Sequence, residues 1–225
     1  MKRNTGIYII IWVILSSIIM SAVDAVIKPE YITKSLIKIL LFLVVPAIYF
    51  LRENKAESLK KLFIVKKASF FKAVIIGVGI YAVIIGGYFL TKGFIDFSSV
   101  VTGLTENHGV NGNNFIYVSL YISLINSFLE EFFFRGVGFI NLKEAGGRKF
   151  SHMFSAGMFA LYHTGMLAIM FDLWVLPILF AGLFAGGLIF NFLDEKEESI
   201  YTSWAVHMFA NFGVNTVGFI LFGIL

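Results

Sequence analysis

The chain has no cysteine, and its 32 charged side chains are few for 225 residues. Without cysteine there is no disulfide framework, no thiolate metal site and no cysteine nucleophile. Charged residues make up 14% of the sequence, against roughly 25% in a soluble domain whose surface must be wetted. A Gly-rich phosphate loop, a His-Glu-x-x-His helix and a repeat of fixed period are also missing. What is present is apolar: 58% hydrophobic residues, 26 of them phenylalanine. The composition excludes a soluble enzyme and implies an all-α, polytopic membrane helix bundle, a single integral-membrane domain over residues 1–225.

Seven segments are long and apolar enough to suggest spans of a hydrocarbon core roughly 30 Å thick: 6–23, 35–51, 73–91, 115–134, 150–171, 173–193 and 199–225. The last carries Gly213 and Gly218 and could break in two, giving seven to eight transmembrane helices. Helices are required, because lipid satisfies no backbone polar group and no barrel-like alternation is present. With the N-terminus cytoplasmic, fourteen of the eighteen basic residues fall on the inner side, leaving Lys28, Lys34, Lys38 and Lys92 outside. That bias sets orientation. Lys2-Arg3 before an apolar run also resembles a signal peptide, but the run has the length of a spanning helix.

The basic segment between spans two and three, Arg52–Lys72, reads as a topology-fixing loop rather than an interfacial helix. Thr105–Asn114 reads as turn, with His108 solvated in it. Gly182 and Gly186 fit helix packing within the monomer, or a dimer face.

Ionisable groups inside spans cost about 2.5–3.5 kcal/mol each on insertion scales and are functional candidates by default. Glu130 and Glu131 stand near the end of the fourth apolar run. Glu131 and Arg135, four apart, can pair on one helix face. Glu130 points about 100° away and is left without a local partner, either marking the membrane boundary or serving chemistry. His163 lies well inside the fifth run, and His207 and Asn211 share a face of the last segment. Each alone suits packing. Together they are almost the only buried polar groups, so they are expected to meet in the bundle interior. A partly desolvated carboxylate can activate water, with histidine and amide groups to stabilise an oxyanion. His152 and Asp172 need no special role.

Glu-Glu-x-x-x-Arg, Phe-x-x-x-His and His-x-x-x-Asn, in that order on separate apolar segments, resemble the CPBP family. These are CAAX-protease and bacteriocin-processing (Abi) intramembrane endopeptidases. The motifs stand as Glu130–Arg135, Phe159–His163 and His207–Asn211, so residues 115–215 would be the catalytic core and 1–114 the N-terminal spans and basic loop. The resemblance implies about eight helices and a cavity opening to the cytoplasm and to lipid. It implies Glu130 as water-activating base, His163 and His207 as its partners, His207 and Asn211 placed to stabilise the oxyanion, and Glu131, Arg135 and Phe159 in support. Here Arg135 is followed by Gly136, where the chain is expected to turn. No cofactor is preferred. Zinc on Glu130, His163 and His207 is the alternative.

The substrate implied is a membrane-associated or lipidated peptide, or a bacteriocin-related one, and no nucleic acid is expected. The short chain resembles the bacterial type, which points to a bacterial plasma membrane. Two rival readings are a non-catalytic immunity or scaffold protein and a small transporter. A transporter needs a polar path across the bilayer, and spans one to three are expected to contribute none.

Overall fold

The computed structural model describes residues 2–168 and 170–225, and side chains except at positions 2, 3, 107, 108 and 166. The environment expected for the His108 side chain therefore lies outside the described residues. Among those described there are nine helices and no strand. Helix α1 (Lys2–Ala22) continues into a π-helical stretch, Val23–Ile27. Then come α2 (Tyr31–Arg52), the short α3 (Ala56–Leu62), α4 (Lys67–Thr91) and α5 (Ser98–His108). The second half comprises α6 (Phe115–Gly146), α7 (Arg148–Leu167), α8 (Leu176–Glu195) and α9 (Tyr201–Leu221).

Six helices are long and apolar enough to cross a bilayer: α1, α2, α4, α6, α8 and α9. The seventh expected span corresponds to α7, which has the length but not the apolarity. Its buried face carries Ser151, His152 and Ser155. The last segment does not break. Gly213 and Gly218 lie inside one continuous α9, where they admit neighbours rather than end the helix. A β-carbon at Gly213 would press on Ile84 of α4, and one at Gly218 would collide with the Phe115 ring of α6.

Helix α6 organises the bundle. It runs 32 residues, so Glu130 lies near its middle rather than at the end of a span closing at Phe134. Nor does the chain turn at Gly136. The helix passes through it as a π-helical stretch, Glu131–Asn141, and the bare α-carbon admits Leu62. A side chain there would put its β-carbon 2.8 Å from Leu62 Cδ1. The turn falls at Gly147, whose φ of +82° suits glycine. On α2, another π-helical stretch, Leu40–Val44, precedes Pro46. Proline lacks an N–H and crowds the carbonyl four residues back, so a widened turn lets the helix continue. Phe42 then stacks on Phe133 of α6, ring centres 3.9 Å apart, at the heart of the apolar core.

Three further expectations change. The basic segment 52–72 contains α3, and Leu59 and Leu62 are buried while the lysines point outward. The Leu62 carbonyl accepts from Ile200 N–H at 3.1 Å and Ser199 hydroxyl at 3.2 Å, which fastens this segment to the start of α9. Thr105–His108 is helical, not turn. Gly109 ends α5 in a left-handed conformation, and Val110 N–H bonds back to the Leu104 carbonyl. Gly182 and Gly186 do not pack within the monomer, since a β-carbon at either meets nothing within 4 Å. Gly187 makes that close approach instead, against Ala156 of α7.

Candidate active site

Four helices bring the polar side chains together half-way along α6. Glu130 is 1% exposed, Glu131 and Arg135 are fully buried, and His207 is 5% exposed. The i,i+4 pair expected from the sequence forms: Arg135 Nη1 donates to Glu131 Oε1 at 3.1 Å. The Arg135 guanidinium is clamped between the rings of Phe159 (4.1 Å) and Phe190 (4.8 Å). This position suits arginine's flat, weakly hydrated cation better than a lysine.

Both histidines are held by their Nδ1 atoms. His207 Nδ1 donates to Glu131 Oε1 at 2.7 Å, and His163 Nδ1 donates to the Phe159 carbonyl at 2.9 Å. A carbonyl and a carboxylate can only accept, so each neutral ring carries its proton on Nδ1 and presents a bare Nε2. The two Nε2 atoms converge on Glu130 Oε2, at 3.3 Å from His163 and 3.6 Å from His207. With neutral rings three acceptor atoms face one another, and Glu130 Oε2 makes no well-formed hydrogen bond among the described residues.

The other carboxylate oxygen is fully engaged. Lys38 Nζ, from α2, lies 2.5 Å from Glu130 Oε1. Asn126, one turn earlier on α6, donates its amide to the same oxygen at 2.9 Å and accepts from Lys38 at 2.6 Å. Glu130 is paired with Lys38 and Glu131 with Arg135. That pairing makes such dense burial of charge tolerable.

Asn211 lies one turn beyond His207 on α9. Its Nδ2 donates to the Ile122 carbonyl of α6 at 3.1 Å. One further turn on, Asn215 reaches the Ser119 carbonyl and Ser123 hydroxyl. One turn before His207, Trp204 donates to the Leu124 carbonyl and the Ser127 hydroxyl. This polar stripe locks α9 along α6 and sets His207 in register with the two glutamates. Phe159 supports the centre twice, by its carbonyl on His163 and by its ring against Arg135 and both imidazoles.

The expectation that spans one to three contribute no intramembrane polar group is overturned. Lys38 is 4% exposed, and Asp24 at the end of α1 is buried against Lys34 at 2.5 Å. Lys38 also does not sit free on the outer side. It was visible as the one charge in the second apolar run, and Asn126 as an amide one turn before Glu130. Outside the centre, His152 is also partnered, with Nε2 3.2 Å from Glu195 and its ring against Phe139 and Phe192.

An intramembrane carboxylate–histidine centre inside a multipass helical bundle is the class of protein that these observations define. A family likeness falls on the same stretch of chain. Residues 112–213, which hold all three motifs, match the family model described as "Rce1-like: Type II CAAX prenyl endopeptidase Rce1-like". Over that segment the chain is similar to the CPBP/CAAX protease family. No curated protein and no solved structure matches it.

Proposed function

We propose that this protein is an intramembrane endopeptidase that hydrolyses a peptide bond in a membrane-associated or lipidated peptide, using water activated by Glu130. The carrying observation is the convergence of three bare acceptors, Glu130 Oε2 and the Nε2 atoms of His163 and His207. Acceptors held face to face require a donor between them, and water supplies two.

In the proposed step, water gives a proton to Glu130 Oε2 as its oxygen bonds to the substrate carbonyl carbon. The carbonyl oxygen becomes an oxyanion, stabilised by the second N–H of the Asn211 amide; the first is spent on Ile122. The proton passes from Glu130 to an imidazole Nε2, and Glu131 behind His207 stabilises the cation formed. That imidazolium protonates the leaving nitrogen as the C–N bond breaks and the oxyanion re-forms the carbonyl; the carboxylic acid so formed passes its remaining proton to the amine, leaving carboxylate and ammonium products. Roles for Glu130, His163, His207 and Asn211 rest on this placement together with the family motifs.

The reading is metal-free. Zinc on Glu130, His163 and His207 would sit beside the Lys38 ammonium, which holds the other oxygen of the same carboxylate and would repel a dication. A purified protein dialysed against EDTA is therefore expected to keep its cleavage rate. Loss of the rate with recovery on adding zinc would reverse this assignment.

The decisive experiment is cleavage of a farnesylated CAAX-type peptide by purified protein in bilayers. Glu130→Gln should lower the rate by at least about a thousandfold, since proton transfer and its geometry are lost together. Cleavage at the wild-type rate in that variant would overturn the role of Glu130, and no cleavage by the wild-type protein would favour a non-catalytic immunity or scaffold role.

A further inference from the structure

We infer that Lys38 is a positioning residue of this centre: it fixes the Glu130 carboxylate in its ionised form, with Oε2 turned toward the two imidazoles. The inference rests on the peptidase reading and extends the site beyond the three motifs, to a helix outside the matched segment.

The geometry carries it. Nζ reaches Glu130 Oε1 at 2.5 Å and Asn126 Oδ1 at 2.6 Å, so one ammonium ties α2 to two positions one turn apart on α6. The same ammonium stands 5.0 Å from the Tyr162 ring centre and 5.3 Å from that of Phe42. Both rings help hold a cation away from water. With Lys38 and Asn126 both on Oε1, the carboxylate cannot rotate freely, and the remaining oxygen is the one aimed at His163 and His207. A carboxylate alone in an apolar bundle would take up a proton or swing toward an imidazole. Either change removes the base.

The residue one turn earlier shows how the pairing is kept specific. Lys34 lies on the same face of α2 as Lys38 and has its own buried partner, Asp24. Each lysine thus has one carboxylate, and Lys34 does not compete for Glu130.

The test compares Lys38→Met, Lys38→Ala and Glu130→Gln with wild type, on the farnesylated peptide and by thermal unfolding in detergent. Lys38→Met should lose kcat by about a hundredfold with KM within about twofold, because binding is intact and only the base is disordered. Ethylamine added to Lys38→Ala should restore about tenfold of the rate by replacing the missing ammonium, a response that a purely structural role would not give. Lys38→Met combined with Glu130→Gln should unfold at a higher temperature than the two separate losses predict.

Wild-type kcat in Lys38→Met, or no response of folded Lys38→Ala to ethylamine, would overturn the inference. If Lys38→Met does not fold, failure of Glu130→Gln to restore folding in the double variant would overturn it. Should Glu130→Gln cleave like wild type, the peptidase reading itself falls. Should Glu130→Gln be dead while Lys38→Met is fully active, only the role of Lys38 falls.

Discussion

His207 faces two neighbouring carboxylates with its two ring nitrogens, and that single placement gives the paired glutamates different work. Glu131 takes Nδ1 at 2.7 Å and shares its oxygen with Arg135, while Glu130 faces Nε2. Glu131 therefore sets the tautomer and the tilt of the ring, and Glu130 is left for chemistry. Supports of this kind are worth about 10–100-fold when removed. Glu131→Gln should lower kcat by that factor with little change in KM, measured on the same prenylated peptide. A fully active variant would remove Glu131 from the orienting role. Arg135 is a matter of stability instead. Its removal leaves the fully buried Glu131 carboxylate without its cation, so Arg135→Met is expected to cost about 3–5 kcal/mol. Chemical denaturation in detergent reads this directly, and an unchanged midpoint would mean that Glu131 had found another partner.

Helix geometry decides which of these side chains can meet. Glu130 stands at the junction where α6 changes from α-helical to π-helical turns, and Asn126 ends an earlier π-helical stretch, Ile122–Asn126. Such widened turns are uncommon and cluster at functional sites. Here they shift the facing of residues along α6 without breaking it. Close helix contact then sets the depth of α9. Gly218 lets α9 lie against Phe115, whose ring also meets Phe219 and Phe222. Gly218→Ala should destabilise the protein by about 1–3 kcal/mol through overpacking, seen as a lower unfolding temperature. Phe115→Leu in the same chain should recover part of it. No loss in the single variant would mean that α6 and α9 part easily at this end.

At the scale of the whole molecule, polar contacts gather the basic segments together. The Lys55 ammonium reaches Thr5 at 2.9 Å, and Lys66 pairs with Glu197 at 2.8 Å. Arg148 grips Glu195 through two bonds. These contacts join the basic segments into one end of the bundle, and the bias of basic residues predicts that this end faces the cytoplasm. A chain without native cysteine makes this simple to check. Lys61→Cys should react with a membrane-impermeant maleimide only after cells are opened, whereas Asn113→Cys should react in intact cells. The reverse pattern would invert the topology.

The amino-acid sequence by itself determined that the chain is an apolar helical bundle, because lipid permits no other way to pair the backbone of such long uncharged runs. It also determined the Glu131–Arg135 pair, since a spacing of four is local to one helix. The three motifs, Glu130–Arg135, Phe159–His163 and His207–Asn211, could be read as one constellation because so little else in the spans is polar. Helix ends were less legible: Gly136, Gly213 and Gly218 look like breaks, yet each serves a close contact whose partner is far away in sequence. Only the tertiary structure decided that His207 lies between both glutamates and that Lys38 leaves the outer-side tally to pair with Glu130. A charge in a span must find a partner, but which partner depends on the packing of helices some ninety residues apart, and no local spacing encodes that.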